Sequence, residues 1–217
     1  MEKRIALYQK IKREKLIAVI RTDSKEDARK IIDAAVEGGI NIIEITMTIP
    51  GAMDLIKEVK NHYKDTVCVG AGTVLSSEAA QNVIDAGSEF VVTPHFDEEI
   101  IKLCHLCQVF VIPGTIVLKD MVQALKLGCT LIKLFPANLL GVNAIRSFKG
   151  PLPDVEIIPT GGVNLETIKD WLDGGAIGVG IGNDLSKKAL QTNDFSYVTK
   201  YAQQLVNKIL DWEREKE

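Results

Sequence analysis

Along its whole length the chain alternates between short apolar runs of five to seven residues and longer amphipathic stretches. This alternation restricts the fold more than any other feature. A strand that is apolar nearly throughout must be buried on both faces, and a parallel sheet covered by helices achieves that. The strand candidates are Leu16–Arg21, Asn41–Thr46, Val67–Thr73, Phe90–Pro94, Val109–Pro113, Leu131–Phe135, Val155–Thr160 and Ala176–Gly182. A helix-like segment follows each one. The first runs from about Lys25 to Glu37, with Asp23 or Ser24 as its cap and Gly38-Gly39 as its stop. Ala86-Gly87, Gly128 and Gly174-Gly175 close later ones, Ile5–Arg13 reads as an opening helix, and a last helix spans about Tyr197 to Trp212. Eight strand–helix units in 217 residues, with no linker-like stretch, predict a single domain over residues 1–217. Its expected form is a (β/α)8 TIM barrel, class α/β, with an additional N-terminal helix. A doubly wound open sheet is the competing architecture.

Composition narrows the partners. A formal charge of −3 argues against a general nucleic-acid surface, which needs clustered Lys and Arg, but leaves room for a local pocket for a small anion. No apolar run approaches a membrane span, and the start at Met1 lacks the apolar core of a signal peptide. Four cysteines (Cys68, Cys104, Cys107, Cys129) are too few for a disulfide framework in a chain this long, so a reduced cytoplasm is the expected location.

In a parallel barrel alternate strand residues point inward, and the reacting groups sit at the carboxyl ends of strands. Lys133 interrupts the apolar run Thr130-Leu-Ile-Lys-Leu-Phe-Pro136. Burial disfavours an ammonium, and only a free amine attacks a carbonyl, so Lys133 is a candidate nucleophile; a strand-end lysine reaching to solvent is the alternative. Glu44, in Asn41-Ile-Ile-Glu-Ile-Thr-Met-Thr48, would share an inward face with Thr46 and Thr48. It suits proton transfer or, alternatively, a structural ion pair with Lys133 or Arg21. Arg21 ends the first strand and could grip a carboxylate with two parallel hydrogen bonds, or else stand solvated in a loop. Thr73, after Gly70-Ala-Gly72, could give a hydroxyl to the same ligand. The glycine-rich strand ends Ile158-Pro-Thr-Gly-Gly-Val163 and Gly178-Val-Gly-Ile-Gly-Asn183 resemble an anion site of backbone N–H groups, or simply two tight turns. Cys104-His-Leu-Cys107 has metal-ligand spacing but no second pair, and reads as helix packing. His95 borders a strand end, whereas His62 and His105 fall in helices. No Ser-His-Asp arrangement or Walker loop is present, and Gly180-Ile-Gly182 comes too late in the alternation for a dinucleotide site.

Taken together, Glu44-Ile-Thr, Gly70-Ala-Gly-Thr-Val74, the Pro94 strand end, Ile112-Pro-Gly114, Lys133-Leu-Phe-Pro-Ala137 and Pro159-Thr-Gly-Gly162 resemble the 2-keto-3-deoxy-6-phosphogluconate / 4-hydroxy-2-oxoglutarate aldolase family. The similarity runs from roughly Leu16 to Leu185. It implies a metal-independent, cofactor-free class I aldolase on a barrel, usually a homotrimer, acting on a keto acid and an aldehyde phosphate. It further implies Lys133 as the Schiff-base lysine and Glu44 as the general acid/base. Thr73, Pro94, Phe135 and Thr160 would surround the pyruvyl portion, and Gly161, Gly162, Gly182 and Asn183 would hold the phosphate.

Two positions depart from the family pattern. Thr48 stands where many members have an arginine, and Arg21 is expected to supply that guanidinium. Asn183 stands where many place a serine against the phosphate; it too can donate a hydrogen bond. The expected reaction is cleavage of 2-keto-3-deoxy-6-phosphogluconate to pyruvate and glyceraldehyde 3-phosphate. The alternatives are 4-hydroxy-2-oxoglutarate or 2-keto-3-deoxy-6-phosphogalactonate as substrate and, more distantly, a phosphosugar isomerase or a non-catalytic sugar-phosphate binding barrel.

Overall fold

The computed structural model describes residues 2–216. The elements follow in the order α1 (Glu2–Glu14), β1 (Leu16–Ile20), α2 (Lys25–Glu37), β2 (Ile42–Thr46), α3 (Ala52–Tyr63), β3 (Cys68–Gly72), α4 (Ser77–Asp85), β4 (Phe90–Val92) and α5 (Glu98–Leu106). Then come β5 (Phe110–Ile112), β6 (Gly114–Thr115), α6 (Leu118–Lys126), β7 (Leu131–Leu134), a 3-10 turn (Ala137–Leu139), α7 (Asn143–Lys149), β8 (Glu156–Pro159), α8 (Ile168–Asp173), β9 (Val179–Ile181), α9 (Asn183–Thr192) and α10 (Ser196–Arg214). The protein is thus an α/β fold whose strands all pair in parallel. One sheet has the order β5-β4-β3-β2-β1-β9 and the other β6-β7-β8. Pro113 alone separates β5 from β6. At the other side a parallel bridge joins Thr160 to Gly180, and the Ile177 N–H donates to the Ile157 carbonyl at 3.1 Å.

The strands curl, and their two faces build two separate cores. Outward residues such as Ile43, Ile45, Val69, Val91, Ile132 and Leu134 pack under the helices. Inward residues form a smaller cluster of Ile17, Ile42, Cys68, Phe90, Val92, Phe110, Ile112, Leu131 and Ile158. Helix α1 adds Leu7 and Ile11 to that inner cluster and so covers the amino ends of the strands. It is tied down by Tyr8, whose phenol donates to the Glu156 carboxylate, and by Lys12 at 2.9 Å from Glu156 Oε1. Full burial of one Leu, Ile or Phe side chain contributes about 1.5–3 kcal/mol, so the inner cluster alone is a substantial source of stability.

Local signals explain the helix bounds. Ser24 Oγ accepts from Asp27 N at 3.1 Å, and Gly38 ends α2 with Gly39 at φ 98°, so α2 matches its expected limits. Ser76 and Asp97 cap α4 and α5 in the same way. The strands are shorter than expected. Arg21, Thr73, Pro94, Phe135 and Gly182 lie just past the last residues of their strands, and Thr160 keeps only an isolated bridge, to Gly180. The fifth expected strand, Val109–Pro113, is found as Phe110–Ile112, and a further short strand, Gly114–Thr115, follows Pro113, which has no N–H to give. Among the described residues no helix is long and apolar enough to cross a membrane.

Candidate active site

The strand alternation that buries Ile42 and Leu131 in the inner cluster carries Glu44 and Lys133 onto the same face, two residues nearer the carboxyl ends. β2 and β7 belong to different sheets, so the two side chains meet across the space between the curled sheets. Lys133 Nζ donates to Glu44 Oε1 at 3.1 Å and lies 3.4 Å from Oε2; the side chains are only 7% and 3% exposed. A buried cation and a buried carboxylate are each costly alone, and together they are tolerated. The alternative of a lysine reaching to solvent is therefore overturned. The Glu44–Lys133 ion pair, one of the alternatives open for Glu44, is present.

Room for this pair comes from β3. A Cβ on Gly72 would lie 2.0 Å from Glu44 Oε1, so glycine is required there by space rather than by turn geometry. Just past the end of the same strand, two residues after Lys133, the Phe135 ring centroid is 5.4 Å from Lys133 Nζ. Thr160, buried, points at β9, where a Cβ on Gly180 would come within 2.3 Å of its Oγ1. Pro94 packs against Gly114, the residue paired with Lys133, leaving no space for a side chain at Gly114.

A second group stands beside the first. Thr73 directly follows Gly72 and has φ 57°, a left-handed conformation that is strained for a β-branched residue by about 1–3 kcal/mol. Its Oγ1 accepts from Arg21 Nη2 at 3.0 Å. Arg21 is exposed just past the end of β1, and among the described residues Thr73 is its one hydrogen-bonded partner, so most of its five N–H groups are unpaired. Thr46 anchors this corner: its hydroxyl donates to the Ile20 carbonyl at 2.8 Å and meets Thr48 Oγ1 at 2.9 Å. Thr48 thus reaches the backbone beside Arg21 only through Thr46.

The glycine-rich ends lie next to one another because β8 and β9 are bridged at Thr160 and Gly180. Gly161 and Gly162 have φ 99° and 73°, which turns the chain back after β8. Gly182 precedes α9 without a side-chain cap, so the first N–H groups of α9, beginning at the exposed Asn183, are not covered by a capping side chain. Asn138, from the 3-10 turn, is a neighbour that sequence reasoning missed. Its Oδ1 lies 3.1 Å from where a Cβ on Gly161 would stand, and its Cβ is 2.6 Å from one on Gly162.

The other candidates stay apart. His95 is exposed and lies 3.8 Å from Asp97. Cys104 is buried in α5 with its thiol pushed up to about 12, mainly by burial, so it packs as a small apolar residue. His105 takes a hydrogen bond from Arg4 at 3.0 Å, between α5 and α1.

Known proteins share the sequence pattern and the fold of this chain. A family model described as KDPG and KHG aldolase matches residues 7–201. The 2-dehydro-3-deoxy-phosphogluconate aldolase of Treponema pallidum (strain Nichols) is 32% identical over 202 residues, covering 92% of this chain and 96% of the relative. The 2-dehydro-3-deoxy-6-phosphogalactonate aldolase of Escherichia coli (strain K12) is 31% identical over 171 residues, 78% of this chain and 83% of the relative. Among solved structures, KDPG aldolase from Legionella pneumophila, with pyruvate captured as a covalent carbinolamine intermediate, superposes with a TM-score of 0.81 at 27% identity. That match covers 88% of this chain and 93% of the other. With its family model spanning nearly all of its strands and helices, the chain belongs to the KDPG and KHG aldolase family, and is a lyase of the aldolase type.

Proposed function

We propose that the chain is a Schiff-base aldolase that cleaves 2-keto-3-deoxy-6-phosphogluconate to pyruvate and glyceraldehyde 3-phosphate. The observation that carries this reading is the contact of Lys133 Nζ with Glu44 Oε1 at 3.1 Å, with both side chains buried. Glu44 is placed to take a proton from the ammonium, and the free amine then adds to the keto carbon. The carbinolamine loses its hydroxyl as water, with a proton returned by Glu44, leaving an iminium. Glu44 next removes the proton from the hydroxyl two carbons away from the iminium carbon, beyond the deoxy CH2. The carbon–carbon bond breaks, the aldehyde leaves, and the electron pair collapses into the iminium to give an enamine. Protonation of the enamine carbon and addition of water release pyruvate and restore the amine.

Around this centre, Arg21 and Thr73 would hold the carboxylate, with Pro94, Phe135 and Thr160 enclosing the pyruvyl carbons. The N–H groups of Gly161, Gly162, Gly182 and Asn183 would take the phosphate. We read the two sheets as one (β/α)8 barrel in which β5 and β6 are a single strand interrupted at Pro113; the Thr160–Gly180 bridge supports closure. A homotrimer is part of the same proposal, and sedimentation as a monomer would remove it.

Substrate choice is tested by comparing kcat/KM for release of pyruvate from three compounds. These are 2-keto-3-deoxy-6-phosphogluconate, its galactonate epimer, for which one relative is named, and 4-hydroxy-2-oxoglutarate. The gluconate compound should be the best substrate by at least about tenfold, or roughly 1.4 kcal/mol of transition-state binding. Equal or better cleavage of either alternative would reassign the substrate and leave the chemistry in place.

A further inference from the structure

We infer that Tyr201, on the carboxyl-terminal helix α10, is a positioning residue for the phosphate subsite and thereby sets the preference for phosphorylated aldehydes. This rests on the reading of the glycine-rich loops as that subsite. After Gly161 and Gly162 the chain must reach α8 through five residues, and the N–H groups along the way need partners. Asn164 N donates to Thr167 Oγ1 at 3.1 Å. Glu166 N and Thr167 N both donate to Asn164 Oδ1, at 2.9 and 3.0 Å, and Thr167 Oγ1 lies 3.3 Å from the Gly162 carbonyl. The loop is therefore knotted onto the second glycine by its own side chains. The Leu165 N–H is the exception: it donates to the Tyr201 hydroxyl at 3.1 Å, a bond to another element 36 residues away in sequence.

Tyr201 also stands behind the second half of the subsite. It lines a cavity of about 270 Å³ together with Asp184 and Leu185, from the first turn of α9, directly after Gly182 and Asn183. One phenol thus touches the loop that carries Gly161 and Gly162 and faces the helix start that carries Asn183. Burial raises its affinity for its proton, with Asp184 and Glu166 adding to that and the Leu165 N–H opposing it, so it stays a neutral hydroxyl at working pH. Both segments depend on glycine, which holds a conformation poorly by itself, and their N–H groups must converge on one anion to about half an ångström. A rigid helix contact outside the site provides that constraint without touching the ligand.

The test is Tyr201→Phe, which deletes one oxygen. Pyruvate addition is measured to D-glyceraldehyde 3-phosphate and to unphosphorylated D-glyceraldehyde, with wild type and variant side by side. The KM for the phosphorylated aldehyde should rise about 5- to 10-fold, as expected for one lost hydrogen bond, with kcat within about twofold. The constants for the unphosphorylated aldehyde and the yield of pyruvate adduct should not move. Amide hydrogen exchange gives a second readout: a peptide spanning 161–168 should exchange faster in the variant. If both aldehydes suffer equally, or neither does, the positioning role is overturned while the subsite reading stands. If wild type shows no preference for the phosphorylated aldehyde, the subsite reading itself fails, and this inference with it.

Discussion

The two ends of the enclosed interior are built by the same strands and could hardly differ more. At the amino ends, Ile17, Ile42, Cys68, Phe90, Phe110 and Leu131 meet Leu7 and Ile11 of α1 in an apolar plug. Two to four residues further along the same strands stand Glu44, Thr46, Gly72, Lys133 and Thr160. The plug satisfies the ordinary rules of packing. The carboxyl end breaks several of them: it buries an ion pair, holds Thr73 at φ 57°, and leaves a helix start uncapped. Such local violations are expected where function is bought from stability supplied elsewhere. The lesson is a division of labour along each strand, with stability at one end and chemistry at the other.

That division can be broken on purpose, and the largest effect should come from Lys133→Met. Turnover should fall about 10⁴-fold or more, since no other amine takes its place. The variant should also be less stable in urea, because Glu44 is left buried without its partner, whereas Lys133→Met combined with Glu44→Leu should regain that stability or exceed it. A double variant as unstable as the single one would contradict the cost assigned to the pair. Next, Glu44→Gln should cut turnover about 10³-fold while pyruvate still forms its adduct more readily than turnover proceeds. Equal loss of both would remove Glu44 from the bond-breaking step and confine its proton transfer to formation of the iminium.

At the plug the pattern should invert. Phe90 is fully buried, and a Cβ on its neighbour Gly70 would stand 2.4 Å from its ring. Phe90→Ala should destabilise by about 3–5 kcal/mol while the folded fraction keeps its KM. A large KM change with little unfolding effect would mean the two ends are coupled. Smallest of the set, Arg21→Ala should raise the KM for pyruvate about 10- to 100-fold, as for loss of charge-assisted hydrogen bonds. An unchanged KM would show that the guanidinium absent at Thr48 is not replaced by Arg21.

The division was partly legible in the sequence, and its illegible parts have a common cause. Lys133 and Glu44 stand out because a charge inside an apolar run breaks a strict pattern. Helix α2 is read to its limits because Ser24 and Gly38 are local signals. Strand ends are read one or two residues too long, since side chains such as Arg21 and Phe135 keep the apolar or alternating pattern after the ladder has ended. Asn138 and Tyr201 escape notice for another reason. One is an exposed loop residue and the other an ordinary position on an amphipathic helix, and only tertiary contact with the glycine loops marks them. The bond from Arg21 to Thr73 is likewise invisible until β1 and β3 are set on either side of β2.

The central claim is that the amine at the carboxyl end of β7 forms a covalent bond with a keto acid. Its most direct test is borohydride reduction of the folded protein in the presence of pyruvate, followed by peptide mass spectrometry. The expected result is a single pyruvyl adduct, located on Lys133. An adduct on a different lysine, or none at all in folded protein, would contradict the account.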